Sequence, residues 1–356
     1  MHPVKTSVPT VSVAILTYNR TKELRDCLYS LLWQSVKPFE IIVVDNGSYE
    51  ETEKFLRSIS EEFVKAGVAV RHVPGRHPRL ITAARNVGLE LANSEYVLVC
   101  DDDVEFQTDY VERMLEKFEK YPHYTGLQGS TLPHAPRKPE VFRKRVMNAI
   151  QRCFFLSRSD GHFQKVLPSG FVTMGAPRPT PEPTDAQWLI SNNMMLKKLK
   201  TSARFDEAIV GLGLDDVQFG YKLYLSGTAK LGIVGDAKIK DKHGSTRSSD
   251  HSRWAGLLLY NTYFFFRYVY TGKAFQIYAF VMSRLGLILV NGIVPLFSDS
   301  DPKPLLGTLK GLIYSWTKLK IYVQGTAEEV RTTTMRLLGY DRLQPKKPET
   351  PKAQVK

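Results

Sequence analysis

Through the first half of the chain, short apolar runs alternate with stretches in which apolar residues recur every three or four positions. That alternation predicts strands joined by crossover helices. "VSVAILTYN" opens with a buried strand, Val11 to Leu16, and Thr21 to Trp33 then sets Leu24, Cys27, Leu28 and Leu31 at helical spacing. "EIIVVDNGS" predicts a second strand, "TEKFLRSIS" a helix, "VAVRHVP" a third strand, "ITAARNVGLELAN" a helix and "YVLVCDDD" a fourth strand. Each strand delivers polar residues at its carboxyl end. Open α/β sheets bind ligands there, in the crevice outside the strand ends.

Beyond this region the pattern changes twice. Between Leu132 and Asp185 lie a basic, helix-like "KPEVFRKRVMNAIQRCFF" and a proline-rich "APRPTPEPT". Connections this long are usually functional or disordered, and an acceptor-side lid is expected, with a flexible linker as the alternative. After Arg247, "WAGLLLYNTYFFFRYVY" and "FQIYAFVMSRLGLILVNGIVPLF" are apolar almost all round, interrupted by Arg267, Lys273 and Arg284. About 20 apolar residues suffice to span a bilayer, but Arg284, near the first third of the second run, would sit well inside the hydrocarbon, where a charge costs roughly 2.5–3.5 kcal/mol on insertion scales at the centre. A helical hairpin lying on a membrane or packed on the first domain is expected instead.

The 356 residues allow one large core or two modest ones. The expected organisation is an extension over 1–10, an α/β domain over 11–252, a helical region over 253–340 and a disordered basic tail over 341–356. The net charge is +13, and from Arg267 onward fourteen Lys/Arg face six Asp/Glu. That excess suits an anionic membrane surface. Nucleic acid is not expected, because no recognisable module accompanies the charge. Cys27, Cys100 and Cys153 have neither the number nor the spacing of a disulfide framework or zinc site. "MHPVKTSVPT" lacks the apolar core of a secretory leader, so a cytoplasmic protein is expected.

Thr17-Tyr18-Asn19, Asp45-Asn46 and Asp101-Asp102-Asp103 fall on the same predicted rim. Consecutive acids raise one another's pKa unless a cation or donor sits among them. Asp45 and Asn46 suit a base or ribose, Arg85 a phosphate, and Asp101 and Asp103 a hard cation bridging a diphosphate. The ordinary alternatives are a turn at Asp45 to Ser48, a surface ion pair at Arg85 and a solvated acidic turn at Asp101 to Asp103. No GxGxxG or P-loop is present.

"VSVAILTYNR", "IIVVDNGS", "AARNVGL" and "VLVCDDDV", followed by "WLISNNMMLKK", "RFDEAIVGLGLDDVQFGYKLYLSGTAKL" and "KDKHGSTR", resemble a family 2 glycosyltransferase of the GT-A fold from about Val11 to Arg247. The resemblance implies a Rossmann-like mixed sheet flanked by helices. It also implies inverting transfer of a sugar from a nucleotide-diphosphate donor, with Mg2+ or Mn2+, to a glycan or lipid-linked acceptor.

By the same resemblance Thr17, Tyr18, Asn19, Arg20, Asp45, Asn46 and Asp102 line the nucleotide site, with Arg85 and Asn86 beside the diphosphate. Asp101 and Asp103 are the metal candidates, joined by His243. Asp216 matches the base that takes the acceptor's proton, and Asp215 replaces the family's usual Glu. Trp188 and Asn193 match the strip beneath donor sugar and acceptor. A lone histidine is more often structural, an indole more often core, and an acidic pair at a helix start is often a cap. A binding protein without chemistry is the rival function, and a nucleotidyltransferase lacks its Gly-rich, basic loop.

Overall fold

The computed structural model describes residues 9–47, 49–76, 80–132, 148–157, 164–174, 182–198, 203–210, 214–242, 251–293 and 303–340. In the amino-terminal half, β1 (Val11–Thr17), β2 (Glu40–Asp45), β3 (Ala69–Pro74) and β4 (Tyr96–Asp101) alternate with α1 (Thr21–Leu32), α2 (Tyr49–Lys65) and α3 (Ile81–Leu91). These four strands pair in parallel in the order β3-β2-β1-β4. Nearly every residue of β1, β2 and β4 is buried. Continuous apolar runs are what a parallel strand covered on both faces requires.

Beyond β4 the direction of the sheet changes. β5 (Val104–Phe106), α4 (Tyr110–Lys120), β6 (Gly126–Thr131), β7 (Thr184–Ala186), β8 (Asn193–Lys197), α5 (Asp215–Leu225) and β9 (Leu231–Asp241) complete the domain. β8 lies antiparallel between β4 and β6, and β9 runs parallel to β6 while pairing antiparallel with β5 and β7. The result is a mixed sheet with two apolar layers. One packs β-residues such as Val13, Ile41 and Leu98 under Leu24, Phe63 and Phe118 of α1, α2 and α4. The other sets Ala14, Ile42 and Val99 against Ala84, Phe205 and Phe219.

The carboxyl-terminal region is helical: α6 (His251–Phe264), α7 (Ala274–Ile288), α8 (Lys303–Thr317), α9 (Leu319–Gln324) and α10 (Ala327–Leu338), with π-helical turns at Phe265–Val269 and Leu289–Ile293. It packs directly on the sheet domain. Phe264, Phe265 and Val269 form one cluster with Trp188 and Val217. Residues 164–174, from the long connection, join the same contact, where Asn261 Nδ2 donates to the Gly170 carbonyl at 2.7 Å. Residues 133–147, 158–163 and 175–181 of the expected lid, the terminal tail and most of the amino-terminal extension lie outside the described residues.

Arg284 turns inward rather than toward the outer surface. Its Nη2 donates to Thr262 Oγ1 of α6 at 3.3 Å, and its guanidinium lies 3.7 Å from the Phe280 ring centre. Among the described residues, Ala274–Asn291 is the one helix apolar and long enough to cross a membrane, and a third of it is buried within the protein.

Candidate active site

The carboxyl ends of β1, β2 and β4 lie side by side because their register aligns Thr17 with Asp45 and Leu16 with Asp101. Thr17 and Asp102 are both buried, and Thr17 Oγ1 donates to Asp102 Oδ2 at 2.7 Å. Arg20, at the start of α1, forks across the next acids, with Nη2 2.7 Å from Asp102 Oδ1 and Nη1 2.9 Å from Asp103 Oδ2. Burial pushes the Asp102 carboxyl up to about 7, against the pull of Arg20 and the Thr17 hydroxyl. The middle acid therefore faces inward. Asp101 and Asp103 stay half-buried at the rim.

On β2, Asp45 Oδ1 accepts from the Gly47 amide at 2.7 Å, and Oδ2 lies 3.3 Å from His72 Nε2. Burial would raise this carboxyl, but hydrogen bonds from His72, Thr52 and Gly47 hold it below the usual range. The His72 ring stacks on Tyr49 with centroids 4.0 Å apart. His72 did not emerge from the sequence patterns. Its available signal was an aromatic, ionisable residue near the end of the strand AVRHVP.

Gly47 and Gly75 permit the loops to close over this end. A Cβ at Gly47 would collide with Asn19, and one at Gly75 with the Asn46 amide. Asn46 Oδ1 is buried without a hydrogen-bond partner among the described residues, while Tyr18, which follows Thr17 at the end of β1, is exposed. Asn19 holds a φ of 53°, a region in which Asn is enriched.

Arg85 joins the two acidic motifs. Its Nη2 donates to Asp101 Oδ1 at 3.1 Å and its Nη1 to Asp215 Oδ2, while its guanidinium lies 5.5 Å from the Phe205 ring centre. A planar fork suits this double role better than a lysine would. Asp215 and Asp216 open α5 after Leu214, which has a φ of 59°. A non-glycine residue in this region costs about 1–3 kcal/mol and is held there by its surroundings. Asp216 Oδ1 accepts from the Val217 amide at 2.7 Å, and burial raises its carboxyl despite the nearby Arg85 cation.

Other residues singled out from the sequence have inward-facing surroundings. Asn86 donates to the Phe205 carbonyl and Glu207 and accepts from the Phe205 amide, so it clamps residues 203–210 onto α3. Trp188 is 2 % exposed and packs with the carboxyl-terminal aromatics. Asn193 is fully buried on β8, opposite Cys100, with neither amide atom hydrogen-bonded among the described residues. His243 lies outside the described residues. Asp206, which the patterns did not single out as a site residue, accepts from the Tyr263 and Tyr268 hydroxyls at 2.6 and 3.2 Å.

The donor set at the rim consists of hard carboxylate oxygens, which fit Mg2+ or Mn2+. No three His, Cys, Asp or Glu side chains converge as a metal cage among the described residues. A cation held by one or two carboxylates plus phosphate and water oxygens needs no such cage.

Residues 12–154 match the family model described as "Glycosyl transferase family 2". Glucosyl-dolichyl phosphate glucuronosyltransferase of Haloferax volcanii is 29% identical over 135 residues, which are 37% of this chain and 42% of that protein. The match thus spans less than half of that relative's length. The S. aureus TarS 1-349 structure has a TM-score of 0.51 at 14% identity, covering 94% of this chain and 92% of that one. The Pyrobaculum calidifontis mannosyltransferase PcManGT, solved with GDP-Man and Mn2+, has a TM-score of 0.51 at 15% identity, covering 96% and 89%. The fold is GT-A, and residues 12–154 are similar to the family 2 glycosyltransferases.

Proposed function

We propose that the protein transfers a sugar, with inversion, from a nucleotide-diphosphate sugar to a hydroxyl of a glycan or lipid-linked acceptor. The observation that carries this reading is the Arg85 fork, which brings Asp101 of the rim motif and Asp215, the neighbour of Asp216, to one cation. Donor-side and acceptor-side acids then belong to a single site. In this reading Thr17, Tyr18, Asn19, Arg20, Asp45, Asn46 and Asp102 shape the nucleotide end, and Asp101 and Asp103 hold Mg2+ or Mn2+. The bound cation would neutralise charge developing on the leaving diphosphate.

Asp216 takes the proton of the acceptor hydroxyl as its oxygen bonds to the anomeric carbon. The bond from that carbon to the diphosphate oxygen breaks on the opposite face, and its electron pair leaves with the nucleoside diphosphate. Burial favours this role, because a raised carboxyl is a better base. Arg85 keeps Asp215 from repelling Asp216 and orients the start of α5. The name of the Haloferax volcanii relative, with its dolichyl phosphate, supports a lipid-linked acceptor. We assign the site of action to the cytoplasmic face of a membrane, in keeping with the basic carboxyl-terminal quarter.

Asp216→Asn tests the chemistry. Transfer should fall by about 10²–10⁴-fold, the usual range for a general base, while manganese-dependent binding of the donor, read by calorimetry across UDP-, GDP- and dTDP-sugars, stays intact. Near-parental turnover in the variant would refute the assignment of the base.

A further inference from the structure

The helical region has a surface that sugar transfer does not use. α8 buries its small residues, Gly307, Thr308, Gly311 and Ser315. A Cβ on Gly311 would lie 3.0 Å from the Ala255 backbone of α6, so the two helices approach closely. The large apolar residues of α8 point the other way: Leu306, Leu309, Ile313 and Trp316 are 52%, 40%, 60% and 80% exposed. α7 is similar in part, with Ala279, Ser283 and Gly286 buried beside Arg284 and Leu287, and Phe275, Tyr278, Val281 and Leu285 exposed. Helices facing water do the reverse, turning their apolar stripe to the core. Small residues inside and large apolar residues outside is the pattern of helices packed against protein on one side and hydrocarbon on the other.

Charge identifies the occupant. Residues 267–326 contain seven lysines and arginines against two acids, Asp299 and Asp301. Apart from Arg284, which faces α6, these cations flank the apolar stripes, with Lys273 at the start of α7 and Lys303, Lys318 and Lys320 exposed around α8. A second copy of the chain would bring the same positive charge to the contact and repel it. An anionic bilayer complements both features. α8, at 15 residues, reaches about 22 Å at 1.5 Å per residue. That falls short of a hydrocarbon core about 30 Å thick, so α8 does not cross it, and α7, although long enough, is tied to α6 through Arg284 and Thr262.

We propose that the exposed face of α7 and α8 docks on anionic lipid, with Ile313 and Trp316 entering the acyl boundary and the lysines meeting head-group phosphates. Beneath α8, α6 holds residues 203–210. Tyr260 Oη of α6 accepts from the Val210 amide at 2.8 Å, and Tyr263 Oη donates to Asp206 at 2.6 Å, both just ahead of Asp215-Asp216 in the chain. α8 and then α6 therefore lie between the docked face and residues 203–210, which precede Asp215-Asp216 in the chain. A bearing of the docked state on transfer rests on the transferase reading; the docking itself does not.

The test uses the full chain and vesicles of phosphatidylcholine with and without phosphatidylglycerol, read by co-sedimentation and by the blue shift of tryptophan emission. Binding should require the anionic lipid and weaken at high salt. Ile313→Glu with Trp316→Glu should reduce it about tenfold or more, since each removes an inserted apolar side chain. Lys318→Glu with Lys320→Glu should reduce binding to anionic vesicles. Both pairs change exposed residues, so manganese-dependent binding of a nucleoside diphosphate should remain at the parental level and reports on the donor site independently. A parent protein that stays in the supernatant with anionic vesicles at low salt overturns the proposal. So does binding that survives Ile313→Glu with Trp316→Glu, or an apolar face that proves, by sedimentation velocity, to be covered by a second copy.

Discussion

Glu40 illustrates how a single residue in this fold links burial, hydrogen bonding and pH. It begins β2, is 3% exposed, and accepts from Ser12 Oγ at 2.7 Å and from the Asn93 amide at 2.7 Å. Burial alone would raise its carboxyl, but the bonds from Ser12, Asn93 and Arg71 outweigh it and the folded-state pKa is lowered. A lowered carboxylate contributes stability that is present above its unfolded value, about 4.3, and is lost as pH falls through the folded value. Glu40→Gln should therefore cost about 1–3 kcal/mol at neutral pH, and the difference from the parent should shrink in acid. Thermal denaturation across a pH series checks this. A constant difference from pH 7 down to strong acid would rule it out. The glutamate lies at the strand start, away from the rim, so donor binding is expected to be unchanged.

At the scale of elements, the segment at residues 203–210 depends on both domains. Asn86 of α3 grips it from one side, while Tyr260, Tyr263 and Tyr268 grip it from the other. Burial and the nearby Asp206 carboxylate push the Tyr268 hydroxyl up to about 12 and raise that of Tyr263 further, so both remain donors at any working pH. Tyr263→Phe with Tyr268→Phe leaves Asp206 with its Ala208 amide contact and without its hydroxyl donors. Hydrogen bonds to charged groups are worth about 1.5–3 kcal/mol each. The double variant should lose several degrees of thermal stability and show faster amide exchange across residues 203–210. Unchanged exchange there would mean that the tyrosines do not hold the segment.

At the scale of the molecule, the helical region completes the core. Trp188 and Val217 of the sheet domain are covered by Phe264, Phe265 and Val269, and Val330 of α10 packs with Leu259 of α6. A chain ending at Ser252 would expose that apolar surface to water. It should be poorly soluble or unfold at a markedly lower temperature, as solubility and calorimetry would reveal. A soluble fragment with parental stability would show that the two regions fold independently.

The alternation of apolar runs and helical spacing was enough to place β1 to β4, α1, α3 and the polar rim, because a buried parallel strand and an amphipathic helix are each encoded over a few consecutive residues. The order of the motifs carried the resemblance to the family for the same reason. Partner choice was not local. Arg85 suggested a phosphate site, and its fork meets Asp215, 130 positions away, only once α5 packs beside α3. Trp188 suggested a sugar platform and lies in the core because α6 covers it, while His72 gains its role from Asp45 on the neighbouring strand. The carboxyl-terminal helices read as apolar on every side. Only the packing of α8 against α6 separates the small residues that permit close contact from the large ones left outside, and that separation gives the molecule its second face.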